Sequence, residues 1–284
     1  VRPLHFAGGD IGRLAVAGTV NDLATAAARP LALAAAFVIE EGFALDDLRE
    51  ICASMAETAR EAGVPVVTGD TKVVERGACD GVYITTTGVG EIAVDHVLGT
   101  DAIRAGDAVI LTGTVGDHAI AVLTARGEYN LKTDVASDCA PLWDVVDATV
   151  TALRESGDVQ ALRFLRDPTR GGLTTVLAEV AEEAQLGIEV DEARIPVSPG
   201  VSSVCELLGY DPLTLANEGK MVIVVAPEAA EAVLDAVRQT EHGRHARPIG
   251  VITAAHPGRV GLRTEYGTRR VLDMPVGELL PRIC

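Results

Sequence analysis

Short apolar runs alternate along the chain with segments whose apolar positions recur every three to four residues, a mixture of strand and helix signals. After a glycine-rich start (Gly8-Gly9-Asp10, Gly12), an Ala-rich run from Leu14 to Ala28 has helical spacing and is broken by Pro30. Leu31 to Glu40 reads as a buried strand, although its alanines suit a helix equally well. Leu45 to Ala62 is an amphipathic helix, with Asp46 and Asp47 near its start and Gly63 as its stop. Val64 to Thr68 is a short strand, with Gly69-Asp70-Thr71-Lys72 as the turn after it. Tyr83 to Glu91 alternates and carries Thr85-Thr86-Thr87, a strand signature. A second unit begins near Asp101. It is predicted to hold strands over 107–112, 188–190, 221–226 and 249–252, and helices over 118–126, 142–155, 173–184, 201–208 and 229–239. From Asp273 the periodicity is lost, and Pro275 and Pro281 interrupt what remains. The pattern predicts an α/β (α+β) chain divided at 1–97 and 98–272, with a flexible tail over 273–284.

Composition narrows what such a chain can serve. Its 284 residues leave room for two domains of ordinary size, each with its own core. Aromatic residues make up only 3%, so the cores must be filled by Ala, Val, Leu and Ile. Asp and Glu number 41 against 24 Lys and Arg, a formal charge of -17, which argues against nucleic acid as the main partner. A single anionic ligand held by local Lys, Mg²⁺ and backbone amides remains compatible with that charge. Charged residues break every apolar stretch before it reaches membrane-spanning length, and no basic-then-apolar signal opens the sequence, so no membrane association is expected. The five cysteines, at 52, 79, 139, 205 and 284, form no CxxC pair, so neither zinc nor a disulfide framework is expected, and a reducing cytoplasm fits best. The opening Val1-Arg2-Pro3 suggests a segment ahead of it.

Four loops share a style of small residues with an acid, often beside Lys or Gly. They are Gly18-Thr19-Val20-Asn21-Asp22, Thr68-Gly69-Asp70-Thr71-Lys72, Arg166-Asp167-Pro168-Thr169-Arg170-Gly171-Gly172 and Asn217-Glu218-Gly219-Lys220. Small residues let backbone N–H groups approach phosphate oxygens, and a helix opening at Gly171-Gly172 adds the positive end of its dipole. Carboxylates suit Mg²⁺, which takes oxygen ligands and accompanies triphosphates. Lys72 and Lys220 could neutralise phosphate or move protons. Each acid suits a helix cap or turn equally, and Lys72 suits a solvated surface, so spacing alone leaves both readings open. There is no Walker pattern and no G-x-S-x-G nucleophile elbow. His118 reads as structural at a helix start, Trp143 as core or interface, and the four internal cysteines as inert small apolar residues. Cys284 differs from them. It closes the sequence, so a flexible tail could carry its sulfur into a narrow site, and a prenylation box is excluded because that requires three residues after the Cys.

Taken in order, Gly-Gly-Asp-Ile-Gly, Gly-Thr-Val-Asn-Asp-Leu, Thr-Gly-Asp-Thr-Lys-Val-Val, Asp-Pro-Thr-Arg-Gly-Gly, Asn-Glu-Gly-Lys and Pro-Arg-Ile-Cys resemble the HypE carbamoyl dehydratases of hydrogenase maturation, from residue 8 to 284. The loops alone indicate only the wider PurM-like superfamily of aminoimidazole ribonucleotide synthetase and selenophosphate synthetase. The terminal Pro-Arg-Ile-Cys narrows it. The family also carries a preceding segment with a glycine-rich start and a Thr-Asp-Ser element, and this sequence opens after both.

The resemblance implies two PurM-like α/β domains, the first pairing through its sheet in a homodimer. It implies ATP and Mg²⁺ in the cleft between them, reached by Cys284 on the tail. A carbamoyltransferase, HypF, would load a carbamoyl group onto Cys284. ATP-driven loss of water would turn the S-carboxamide into an S-cyanate, passed on to iron in a HypC–HypD complex. By residue match, Asp22 and Asp70 hold Mg²⁺ and ATP, with Asn21, Asp167, Gly171 and Gly172 also at the nucleotide. Lys72 and Glu218 are matched to proton removal. Two alternatives remain: a small-molecule synthetase or kinase of the selenophosphate synthetase kind, which has no use for a terminal cysteine, and a non-catalytic thiol carrier, which needs none of the four loops.

Overall fold

Asp10 starts the first long helix. Its carboxylate accepts the N–H groups of Gly12 and Arg13, both at 2.8 Å, which satisfies two of the donors that a helix start leaves open. The structure, a computed structural model, describes residues 2–127 and 129–275. It opens with β1 (His5–Phe6) and β2 (Gly9–Asp10), followed by α1 (Ile11–Thr25), β3 (Ala28–Glu40), α2 (Leu45–Glu61), β4 (Val66–Val74) and β5 (Val82–Ile92). β3 lies between a parallel β4 and an antiparallel β5 in a three-stranded sheet.

The alternation along β3 decides which face is covered. Leu33 and Ala35 pack under Val16 and Val20 of α1 and under Met55 and Ala59 of α2. Ala36 points the other way and is exposed, as are its neighbours in register, Asp70 on β4 and Thr85 on β5. Both helices therefore lie on one face, and the other is open in the single chain. α1 serves two cores. Val16 and Val20 belong to this first core, while Ala24 and the following Ala27 join the core of the second sheet. An Ala-rich helix suits that position because small side chains let both layers approach it.

The remaining elements are β6 (Ala108–Leu111), α3 (Asp117–Arg126), α4 (Trp143–Ser156), β7 (Leu162–Arg166), α5 (Gly172–Ala184), β8 (Gly187–Asp191), α6 (Pro199–Leu208), β9 (Val222–Val225), α7 (Ala230–Arg238), β10 (Arg247–Thr253), β11 (Val260–Arg263) and β12 (Arg269–Leu272). The strands form a seven-stranded sheet in the order β12-β11-β8-β10-β6-β9-β7. Val222 and Val224 face α5, while Ile223 and Val225 face α4 and α7. β9 is thus buried on both faces, which is why it reads as an unbroken apolar run. Each fully buried Val or Ile contributes about 1.5–3 kcal/mol relative to exposure. Among the described residues no helix is long and apolar enough to cross a membrane.

The structure corrects the sequence reading at Gly69–Lys72. These residues are not a turn but the middle of β4, in register with Ala35–Val38. β-branched Val66, Val67, Thr68, Thr71, Val73 and Val74 favour the extended chain. Gly69 is needed because an added Cβ would lie 2.1 Å from the Ala35 carbonyl oxygen. β1, β2, β7, β11 and β12 were not evident from periodicity; each has two to five residues.

Candidate active site

The Asn217–Lys220 turn, just before β9, is the centre of the seam between the two sheets. Asn217 is fully buried. Its Nδ2 donates to the carbonyls of Pro168 (2.9 Å) and Leu215 (3.0 Å), and its Oδ1 accepts the Gly116 N–H at 2.8 Å. It thereby joins the loop before α5, the loop before α3 and its own turn. Gly219 is required by close approach, since a Cβ there would lie 1.7 Å from the Asp138 carbonyl oxygen. Lys220 Nζ donates to Asp138 Oδ2 at 3.0 Å and to the Gly219 carbonyl at 3.1 Å. Sequence reading gave Lys220 to phosphate or proton transfer; the structure gives its ammonium to Asp138.

Glu218 is 5% exposed. Its N–H donates to Asp138 Oδ1 at 3.1 Å, and its carbonyl accepts the Ala140 N–H at 3.4 Å and Asn21 Nδ2 at 3.2 Å. Asn21 Nδ2 also donates to the Ala140 carbonyl at 3.1 Å, and Asn21 Oδ1 accepts the Leu142 N–H at 2.8 Å. Asn21 was expected on the nucleotide. The structure instead commits both its N–H groups and its carbonyl oxygen to backbone, so that it ties α1 to the second unit. Asp22, the next residue, is exposed, and residues 18–22 are not the loop expected from the sequence but part of α1, whose Ala-rich helical spacing runs straight through them.

Asp167 is half-buried in the loop between β7 and α5. Gly171 and Gly172 follow with φ of 73° and 62°, the left-handed region that glycine adopts most readily. A Cβ on Gly172 would also lie 2.5 Å from the Leu215 carbonyl oxygen. α5 starts without a capping side chain and without an acid in its first turn, so nothing within the helix neutralises its positive end. The structure thus places Asp22, Asp167, Gly171, Gly172 and Glu218 along the seam that Asn21 ties together. Carboxylate oxygens suit a hard divalent cation and an uncapped helix start suits phosphate, so these residues fit Mg²⁺ and a nucleotide.

Asp70 and Lys72 lie elsewhere in the single chain. Both stand on the open face of the three-stranded sheet, opposite α1 and α2, with Ala36 and Val38 in register beside them. The Asp70 carboxylate accepts the Thr71 N–H at 2.8 Å. A groove of about 1090 Å³ between α2 and β4 includes Met55, Ala59, Val66 and Asp70. A second cleft of about 430 Å³ opens beside the Asn217–Lys220 turn, with Arg13, Asp138, Lys220, His242 and Arg244 on its walls. Cys284 lies outside the described residues.

Sequence reading missed Asp138. Its carboxylate is 4% exposed. Burial works against its charge, but Lys220, His118 and the Glu218 N–H outweigh burial and hold its pKa below the ordinary carboxylate value. Asp117 shows the opposite balance. Burial raises its pKa, although the hydroxyls of Thr114 and Ser198 donate to it. Asp138 lies between α3 and α4 in a stretch without regular structure, about eighty residues from its partners, and carries no local signature. His118 lies in the first turn of α3; its Nδ1 and Ser137 Oγ are 2.9 Å apart, and its ring meets Phe6 edge-on at 5.4 Å. Of the internal cysteines, Cys139 and Cys205 are buried, while Cys52 is exposed rather than packed away.

Residues 1–92 match the family described as AIR synthase related protein, N-terminal domain, and residues 104–263 match its C-terminal domain. The chain is 51% identical over 284 residues to the carbamoyl dehydratase HypE of Cupriavidus necator, covering all of this chain and 79% of that protein. A crystal structure of the hydrogenase maturation protein HypE in complex with ATP superposes with a TM-score of 0.91 at 47% identity, over 100% of this chain and 84% of that one. A HypE–HypF complex superposes with a TM-score of 0.90 at 45% identity, over 97% and 88%.

Proposed function

The chain belongs to the HypE family of carbamoyl dehydratases, and we propose that it converts an S-carboxamide on Cys284 into an S-cyanate at the expense of ATP. The observation that carries this reading is the seam itself: a buried Glu218 whose backbone is held from both units, beside the α1 segment that carries Asp22 and the loop that carries Asp167. An ATP complex and a HypF complex among similar structures support the nucleotide and the loading partner.

The chemistry requires an activated oxygen. ATP supplies that activation, taking up the amide oxygen so that it leaves as phosphate, while two protons leave nitrogen and a C≡N bond forms on sulfur. Asp22 would hold Mg²⁺ through its carboxylate, with Asp167 in the loop before α5 as a further ligand, and Asp70 would join them from a second copy of the chain. The start of α5 at Gly171 and Gly172 would receive phosphate. Glu218 would take a proton from nitrogen. Lys72 would serve as the second proton acceptor. The S-cyanate would then pass to a HypC–HypD complex.

We also place a second copy of the chain over the open face of the three-stranded sheet. That face exposes Ala36, Thr85 and Val89, and in such a homodimer Asp70 and Lys72 lie at the interface. The division into units at 1–97 and 98–272, with a tail over 273–284, is part of the same proposal, supported by the two separate sheets.

ATP turnover tests the reading. Mixed with the carbamoyltransferase and its donor, the protein should release ADP and phosphate in proportion to carbamoyl groups loaded on Cys284. Equal ATP consumption by a Cys284→Ala variant would overturn it.

A further inference from the structure

The Asn217–Lys220 turn uses two side chains and one missing side chain to build itself. Asn217 knits three loops, Lys220 pairs with Asp138, and Gly219 makes room for residue 138. Of Glu218 the turn uses the backbone, and both ends of that backbone unit are fixed. The N–H goes to Asp138 Oδ1 and the carbonyl receives Asn21 and Ala140. Asp138 is the residue common to the last three positions of the turn, Glu218, Gly219 and Lys220. One carboxylate accepts the N–H of Glu218 at 3.1 Å, the N–H of Gly219 at 3.1 Å and Lys220 Nζ at 3.0 Å.

We infer that Asp138 is a positioning residue for the dehydration step: it fixes the backbone of Glu218 at the seam and so sets where the Glu218 carboxylate meets the substrate. This rests on the reading of Glu218 as a proton acceptor.

Stability alone is a poor reason for this arrangement. Asp138 and Lys220 form a buried ion pair, with side chains 4% and 11% exposed. Such pairs recover little more than the cost of their desolvation and are often replaced by apolar groups without loss of stability. What an apolar pair cannot reproduce is an acceptor for two consecutive backbone N–H groups. The segment that presents Asp138 is ordered in turn. Ser137 Oγ accepts the Cys139 N–H at 3.1 Å and meets His118 Nδ1 at 2.9 Å, and the Ser137 N–H donates to the Ala7 carbonyl at 2.7 Å. Arg13 Nε donates to the Cys139 carbonyl at 2.7 Å, so the support reaches from α1 as well. A displacement of about 1 Å in a reacting group is enough to lower a rate by about a hundredfold.

The test removes the acceptor while keeping charge balanced, with Asp138→Leu and Lys220→Met combined. The thermal midpoint of this variant reports whether it folds. With protein preloaded by the carbamoyltransferase, its kcat for S-cyanate formation should fall at least tenfold, while KM for ATP stays within twofold of wild type. Asp138→Ala with Lys220→Met should show the same split, and gives a second reading should the first variant fold poorly. Glu218→Gln is run alongside. If Glu218→Gln abolishes dehydration and both double variants dehydrate at the wild-type rate, the positioning role is overturned while Glu218 stands. If Glu218→Gln itself dehydrates at the wild-type rate, Glu218 is not the base, and the positioning role is overturned with it. A purely structural Asp138 would lower the thermal midpoint and the amount of active protein but leave the kcat of the folded fraction unchanged.

Discussion

Asn21 Nδ2 donates to the Glu218 carbonyl at 3.2 Å, so a residue of the first helix directly holds the backbone of the buried acid in the second unit. The two residues are 197 positions apart in sequence, and the contact is one of three bonds by which Asn21 joins the units. A residue with that inventory sets the geometry of a site without touching what binds there.

Replacing Asn21 by Ala would strip the partner from the Leu142 N–H and from the Ala140 carbonyl, and would leave the Glu218 carbonyl with the Ala140 N–H alone. Leaving buried polar groups unmet costs about 1–3 kcal/mol each, less where water enters. The expected outcome is a loss of about 2–4 kcal/mol in urea unfolding together with a lower dehydration rate. Unchanged stability and rate would show that the seam is held by other contacts.

Asp22→Asn should behave differently. Asp22 is exposed, so the fold should be untouched, but the variant would lose a carboxylate proposed for Mg²⁺. Calorimetry should show ATP affinity in the presence of Mg²⁺ reduced by about ten- to a hundredfold, the size of one charge-assisted contact. Unchanged affinity would make Asp22 a plain surface residue.

The two buried acids on either side of the turn predict opposite pH behaviour. Asp117 has a raised pKa in the folded protein because burial disfavours its charge. The folded state therefore holds the proton more tightly than the unfolded chain, and this contribution is full below about pH 4 and is lost as pH rises through the folded pKa. Asp138 has a lowered pKa, so its contribution is present above about pH 4 and is lost as pH falls through the folded value. In urea titrations across pH, Asp117→Asn should gain on wild type as pH rises from about 4, because Asn never ionises. A constant difference at all pH values would contradict the assignment.

Much of this site was legible in the sequence, for reasons that differ by residue. The Asp-Pro-Thr-Arg-Gly-Gly and Asn-Glu-Gly-Lys loops announce themselves because glycines at close approaches have no substitute. Gly172 and Gly219 each face a backbone oxygen where a Cβ would collide. The Leu45–Glu61 helix was readable because one face is buried and the other solvated. Gly69–Lys72 misled because a glycine beside an acid is a turn signal locally, and only the pairing with β3 overrides it. Asn21 was found for a local reason and serves a distant one. Asp138 was invisible because its meaning lies in partners far along the chain, Glu218, Gly219 and Lys220.

The thiols make a separate test of the packing. Cys205 is buried and its pKa is raised to about 11, and burial raises that of Cys139 as well. Because the thiolate is the reactive form, neither should be labelled in the native protein at pH 8, whereas Cys52, whose pKa burial also raises but which is exposed, should be labelled, more slowly than a free thiol. Rapid labelling of Cys139 would contradict the closed seam around Asp138.

The most direct test of the central claim is the mass of the C-terminal peptide bearing Cys284. After loading by the carbamoyltransferase it should carry about 43 Da, and on addition of ATP and Mg²⁺ this should fall to about 25 Da as the S-carboxamide loses water. Glu218→Gln should stop at the heavier form. Conversion of Glu218→Gln at the wild-type rate would contradict the role given to Glu218. A peptide that never loses the water would contradict the dehydration itself.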